Sequence, residues 1–131
     1  MRTIHDDIAT VTTLPAATYD TTTDGTAVDT RGYDAVEVVL TLGEYADDSH
    51  VLTIEDSNDG QSFTPASATD IVGDDWPALV DDATLDEETI RVGYTGARRY
   101  LRVSTTVTGT GGGSPYGAVI VLGLPKAAPV A

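Results

Sequence analysis

Two histidines, His5 and His50, and a long series of carboxylates are the side chains here that could move protons. A hydrolytic triad needs a histidine held between a nucleophile and a carboxylate. His5 instead falls in a polar N-terminal stretch, and His50 at the start of a predicted strand. There is no cysteine, so neither a thiol nucleophile nor a disulfide is available. Two distant histidines without cysteine do not suit a structural zinc site. The pairs Asp47-Asp48, Asp74-Asp75 and Asp81-Asp82 are candidate acid–base groups. A glycosidase pair must face across a cleft, usually beside aromatic sugar platforms, and one tryptophan with scattered tyrosines is poor material for that. No G-x-S-x-G, P-loop or H-E-x-x-H motif occurs. The residues therefore predict no catalysis and no cofactor.

Oxygen ligands for calcium need separate treatment. Asp56-Ser57-Asn58-Asp59-Gly60 presents Asp56, Asn58 and Asp59 around a glycine turn. It lacks the spacing and the distal glutamate of an EF-hand loop, and the same residues make an ordinary Asx turn in a hairpin.

Charge sets the choice of partner. The chain carries 21 Asp+Glu against 7 Lys+Arg, a net charge of −14. Such a surface repels nucleic acid and anionic membranes, whose binding relies on Lys and Arg. High acidity with a single lysine, Lys126, resembles the proteins of salt-loving microbes. All the acidic residues lie in 1–88, where Arg2 and Arg31 are the accompanying bases; residues 89–131 hold Arg91, Arg98, Arg99, Arg102 and Lys126 and no acid. Two accounts fit that asymmetry. The bases pair with the chain's own carboxylates across neighbouring strands, or they face a partner's acidic surface.

The elements that position these groups repeat with period two. Val36, Val38, Leu40 and Leu42 alternate with Glu37, Val39 and Thr41, a half-buried strand. Leu52 and Ile54 mark the next strand, Ser57–Gly60 a tight turn, and residues 61–65 a short returning strand. Ile90, Val92 and Tyr94 form another strand, and Leu101, Val103, Thr105 and Val107 a further one; Thr95-Gly96-Ala97 between them suggests a hairpin. The last strand has Tyr116, Ala118, Ile120, Leu122 and Leu124 on one face and Gly117, Val119, Val121 and Gly123 on the other. A strand apolar on both faces is central or covered on both sides. The loop 108–115, rich in glycine, is expected to be flexible. Between Trp76 and Thr89 at most a turn or two of helix is expected, because Pro77 and the aspartates oppose more.

The expected fold is all-β: a two-sheet antiparallel β-sandwich or jelly roll, with its core built from Val36, Val38, Leu40, Leu52, Ile54, Ile90, Val92, Leu101, Val103, Ile120 and Leu122. Residues 1–30 read as an N-terminal arm and first strand, 31–124 as the sandwich, and 125–131 as a C-terminal arm of polyproline-like character. The stretch 8–30, rich in Thr, Ala and Asp, reads as arm rather than strand. Length suits one domain. The N-terminal residues show no apolar run of a secretory signal, and the apolar run 118–125 is too short for a spanning helix.

Three stretches together resemble a family of small decoration, or cement, proteins from the heads of tailed double-stranded DNA viruses. They are Gly25–Asp34 before a valine-rich strand, Leu52–Thr64, and Arg91–Val103 followed by Gly117–Pro125. The resemblance implies a β-sandwich on the outer surface of the virion capsid, bound to the major capsid protein, commonly as homotrimers, and stabilising the shell. Arg91, Arg98, Arg99, Arg102 and Lys126 are then the partner-binding candidates. The hairpin around Ser57–Gly60 and the strand Arg98–Val103 are also similar to discoidin-like carbohydrate-binding modules. A glycan- or receptor-binding module of a virion, or a head–tail joining protein, is the alternative.

Overall fold

The computed structural model describes residues 1–127. Among them the chain forms strands β1 (Ile8–Tyr19), β2 (Val28–Asp29), β3 (Tyr33–Leu42), β4 (Ser49–Ser57), β5 (Thr64–Pro65), β6 (Ile71–Gly73), β7 (Thr89–Tyr94), β8 (Tyr100–Thr108) and β9 (Ser114–Pro125). Helix is limited to short 3-10 turns at His5–Asp7, Ala68–Asp70 and Ala83–Leu85. No helix among the described residues is long and apolar enough to cross a membrane. The strands build two antiparallel sheets, ordered β1-β9-β3-β7-β6 and β2-β8-β4-β5.

Alternation does what period two requires: one row of side chains from each strand enters a shared core. Val38, Leu40 and Leu42 of β3, Leu52 and Ile54 of β4, Ile90, Val92 and Tyr94 of β7, Leu101 and Val103 of β8, and Tyr116, Ala118, Ile120 and Leu122 of β9 belong to one buried cluster. Every residue of the expected core is buried except Val36, which packs half-buried against the cluster; Leu124, expected in the inner row of the last strand, is instead exposed, because its positive φ of 47° breaks the alternation at the strand's end.

Four expectations need correction. Residues 8–19 are not an arm: β1 pairs with β9 from Ile8↔Gly123 to Tyr19↔Ser114. Its threonines and alanines are weak apolar signals, and Pro15 argues against a strand. The register shifts between Leu14 and Ala17, so the proline sits at a bulge on an edge strand, where its missing N–H costs no ladder bond. Second, β7 and β8 are not a hairpin, because they lie in different sheets. Both edges of β7 are taken, by β3 and β6, and Thr95 N–H donates to the Asp70 carbonyl at 2.8 Å as the chain crosses over. Third, the strand expected over 61–65 shortens to Thr64–Pro65. Fourth, the glycine loop 108–115 is tethered. Gly111 and Gly113 N–H groups donate to the Asp48 carboxylate at 2.8 and 3.0 Å, and Gly112 N–H to Asp47 at 3.3 Å. At the other terminus Pro125 ends β9 and Lys126 N–H donates to the Gly32 carbonyl. The arm expectation for 128–131 lies outside the described residues.

Candidate functional site

Each candidate partner-binding base stands beside a carboxylate of the same chain. Arg91 meets Glu37 at 2.8 Å across the β3–β7 pair. Arg98 lies 3.6 Å from buried Asp56. Arg99 grips Asp29 with two parallel bonds of 2.9 and 2.7 Å, and this fork holds the Asp29 carboxyl down at about 2. Arg102 bonds Glu55 at 2.9 Å, reaches Asp24 at 3.7 Å, and stacks 4.1 Å over the Phe63 ring. Lys126 is 3.9 Å from Asp34. The bases do not converge on one patch. Arg91 is on the outer face of the five-stranded sheet and Arg102 on the outer face of the four-stranded sheet, while Arg98 and Arg99 sit in and beside the β7–β8 crossover.

The calcium candidates point in different directions. Asp56 is buried and accepts from the Tyr94 hydroxyl at 2.8 Å. Burial first, and then this bond, push the Tyr94 hydroxyl up to about 12. Asp59 turns into its own loop, accepting from Gln61 N–H, Ser62 N–H and the Ser57 hydroxyl, each at 2.9 Å. Asn58 is exposed, and no group of three acidic or imidazole side chains suited to a metal occurs among the described residues. The loop is an Asx turn with Gly60 at φ 76°.

That turn carries a pH signature. The backbone N–H groups of Ser62 and Gln61, and then the Ser57 hydroxyl, lower Asp59 from 3.8 to about 2. Folding therefore favours the carboxylate. The stabilisation is complete above the unfolded value of 3.8 and is lost as pH falls through about 2. Asp59→Ala is expected to lower the melting temperature at pH 5, with a difference from wild type that shrinks between pH 4 and pH 2. A difference that grows on acidification would contradict this account.

His50 belongs to the core. It is fully buried, with Nε2 2.9 Å from the Asp47 carbonyl and Nδ1 2.8 Å from the Tyr116 hydroxyl. A carbonyl can only accept, so Nε2 carries the hydrogen, and in the neutral ring Nδ1 accepts from Tyr116 O–H. Tyr116 in turn lies 2.6 Å from the Thr105 hydroxyl. The chain Asp47–His50–Tyr116–Thr105 thus links β4, β9 and β8 across the two sheets. The aspartate pairs do structural work as well: Asp47 and Asp48 hold the glycine loop, Asp82 caps the 3-10 turn through Thr84 N–H, and Asp74 accepts from Arg91 N–H.

Two surface features stand out. At the end of the sandwich where β3 runs into β4 and β8 into β9, the loops bring together Asp20, Glu44, Asp47, Asp48, Asp81, Asp82, Asp86, Glu87 and Glu88, with no Lys or Arg among them. Arg31, Arg98, Arg99 and Lys126 lie toward the opposite end on separate connections, interspersed with Asp29, Asp34 and Asp56. The second feature is the outer face of β9. The strand is central, as expected, yet no element of the described chain covers Val119 and Val121, which are half-buried between the neighbouring rows. Residue-by-residue reading selected the charged groups and passed over these valines, although the absence of charge on either face of the last strand was the signal for them.

Fold and surface define a class: an all-β sandwich of two antiparallel sheets, heavily acidic, with Arg91, Arg98, Arg99, Arg102 and Lys126 in internal ion pairs and an uncharged outer row on the central strand β9. Comparison with known proteins adds no relative: no family model, no curated protein and no solved structure matches the chain.

Proposed function

We propose that the chain is a virion structural protein that binds the outside of an icosahedral head, contacts the major capsid protein, and stabilises the shell without catalysis. The observation that carries this reading is the open apolar face of β9 on an otherwise acidic sandwich. Antiparallel sheets normally expose polar residues on the side away from the core, so an uncharged outer face suits a protein that works by contact. The three stretches that resemble cement proteins support it, as do the crossings between sheets along β1–β4 and β7–β9, which suit the jelly-roll form of the sandwich. The acidity fits a virus of a salt-loving host. A protein that binds only the assembled shell stabilises it by mass action, and several copies held as a homotrimer add avidity.

The test is a cryo-EM map of native particles, together with rebinding of purified chain to stripped heads. Density for a two-sheet sandwich on the outer shell, and heads that withstand more heat when rebound, are the expected results. Density at the tail or the head–tail joint, or no rebinding, would overturn the reading. A second reading rests on the cleft beside Trp76, about 560 Å³ and bordered by Val51, Pro65, Asp74 and Asp75. An indole with neighbouring carboxylates suits a glycan. Here the indole N–H already donates to the Leu52 carbonyl at 3.0 Å and the ring packs on the core, which favours the capsid reading. Saturable binding on a glycan array that Trp76→Ala abolishes would reverse that order.

A further inference from the structure

We infer that the cleft beside Trp76 docks an extended, positively charged peptide segment of another protein, held by strand addition to the edge of β4. The cleft lies between β4 and β6, apart from the outer face of β9, and does not depend on the shell contact. Register defines the edge. Along a strand of an antiparallel sheet, the N–H and C=O of one residue point to the same side, and successive residues alternate. His50 turns both groups away from β8, exchanging bonds of 2.9 and 2.8 Å with Val80. Ile54 does the same, its carbonyl accepting from Ala66 N–H at 2.9 Å. Leu52 lies between them with the same parity, and its carbonyl takes the Trp76 indole N–H at 3.0 Å. Its partner across the sheet, Thr105, also bonds outward, to Thr23. β5 covers Glu55 and Asp56 alone. The N–H groups of Leu52 and Ile54 therefore face outward, and neither has an acceptor among the described residues. Folded proteins normally cover or blunt such an edge.

Chemistry identifies the occupant. The two donors are two residues apart, about 7 Å along the strand, which is the spacing of alternate carbonyls in another extended chain. The walls suit its side chains: Ile54, Pro65, Ala66, Ile71 and Trp76 line a cleft of about 560 Å³. At the rim, Val51 and Leu79 face each other across the His50–Val80 bridge and are both exposed. Charge sets the sign. Asp74 and Asp75 are exposed at the cleft, and no Lys or Arg lines it. Asp74 accepts from Arg91 N–H at 3.1 Å, which leaves Asp75 to meet a basic side chain of the ligand. The net charge of −14 draws a cationic segment over longer range and repels an acidic one, a second copy of this chain included. A glycan is served less well, because the indole N–H is already spent on Leu52, whereas strand addition uses the backbone donors beside it.

Trp76 is the single tryptophan of the chain, so its fluorescence reports on the cleft directly. The experiment titrates the purified chain with the end-blocked peptide Lys-Val-Lys-Val-Lys and follows Trp76 emission together with the amide NMR spectrum. A saturable change in emission is expected. The Leu52 and Ile54 N–H resonances should move downfield and exchange more slowly with solvent. The acidic counterpart Glu-Val-Glu-Val-Glu is expected not to bind. Asp75→Lys, with its fold checked by circular dichroism, is expected to weaken the basic peptide roughly tenfold or more. Should that variant fail to fold, Asp75→Asn is expected to weaken it about threefold. Three results would overturn the inference: no response at millimolar basic peptide, equal binding of both peptides, or a Trp76 response that leaves the Leu52 and Ile54 N–H groups unmoved. An oligosaccharide that perturbs Trp76 where the peptide does not would also overturn it and assign the cleft to a glycan. The two readings fail separately. Heads that take up a chain deaf to the peptide sink this inference alone, and a chain that binds peptide but not heads sinks the proposed function alone.

Discussion

Replacing His50 with alanine is expected to destabilise the fold by about 3–5 kcal/mol, measured by urea unfolding. The imidazole is fully buried, so its loss leaves a cavity that surrounding β-strands close only in part. It also removes the middle member of a relay. The Tyr116 hydroxyl keeps only Thr105, and the Asp47 carbonyl keeps only the Ser114 hydroxyl at 2.9 Å. Tyr116→Phe removes the relay from the other side and is expected to cost about 1–3 kcal/mol, since His50 Nδ1 and the Thr105 hydroxyl lose a buried partner. The double variant should cost less than the two singles together, because both break the same bond. His50→Gln, which can still donate to the Asp47 carbonyl, should recover part of the loss. If His50→Ala costs under about 1 kcal/mol, the relay is not a tie between the sheets.

That relay also shows where sequence reasoning stops. Strand identity was legible because alternation is local: β3, β4, β7, β8 and β9 can each be recognised within ten or so residues. The Ser57–Gly60 turn was legible for the same reason, since Gly60 takes a positive φ that few side chains tolerate. Pairing across the sandwich is not local. His50 and Tyr116 are 66 residues apart, Arg99 and Asp29 are 70 apart, and Arg102 and Glu55 are 47 apart. A charge count could divide the chain into an acidic and a basic segment, but only the register shows which carboxylate each arginine meets. The crossover at Thr95–Ala97 is hidden likewise, because a short connection looks the same whether it turns back in one sheet or passes to the other. β1 was missed for a different reason: an edge strand needs apolar residues on only part of one face, and a bulge lets it hold a proline. The open face of β9 was half-legible. The absence of charge was visible, and what lay above the valines was not.

Molar salt is expected to raise the melting temperature of the free chain by roughly 10 °C between about 0.05 M and about 3 M KCl, corresponding to some 2 kcal/mol. Two effects compete. Salt weakens the ion pairs of Arg91, Arg98, Arg99 and Lys126, which are exposed on at least one side, and such pairs contribute about 0–1 kcal/mol each. Salt also screens repulsion among the loop carboxylates around Glu44, Asp81 and Glu88, which have no base among them. Two like charges about 12 Å apart in water repel by roughly 0.35 kcal/mol, and a cluster multiplies this over many pairs. The Debye length falls from about 30 Å at 0.01 M to about 3 Å at 1 M, which nearly abolishes that sum while touching close pairs less. Repulsion is therefore the larger quantity, and its relief should win. A sucrose series separates screening from general exclusion effects. The location is tested by Glu44→Gln/Asp81→Asn/Glu88→Gln, which spares Asp47, Asp48, Asp82 and Asp86 because those side chains hold backbone N–H groups. This variant should melt higher than wild type at low salt and respond less to KCl. A wild-type melting temperature that falls steadily with salt would mean that the arginine pairs outweigh the acidic end.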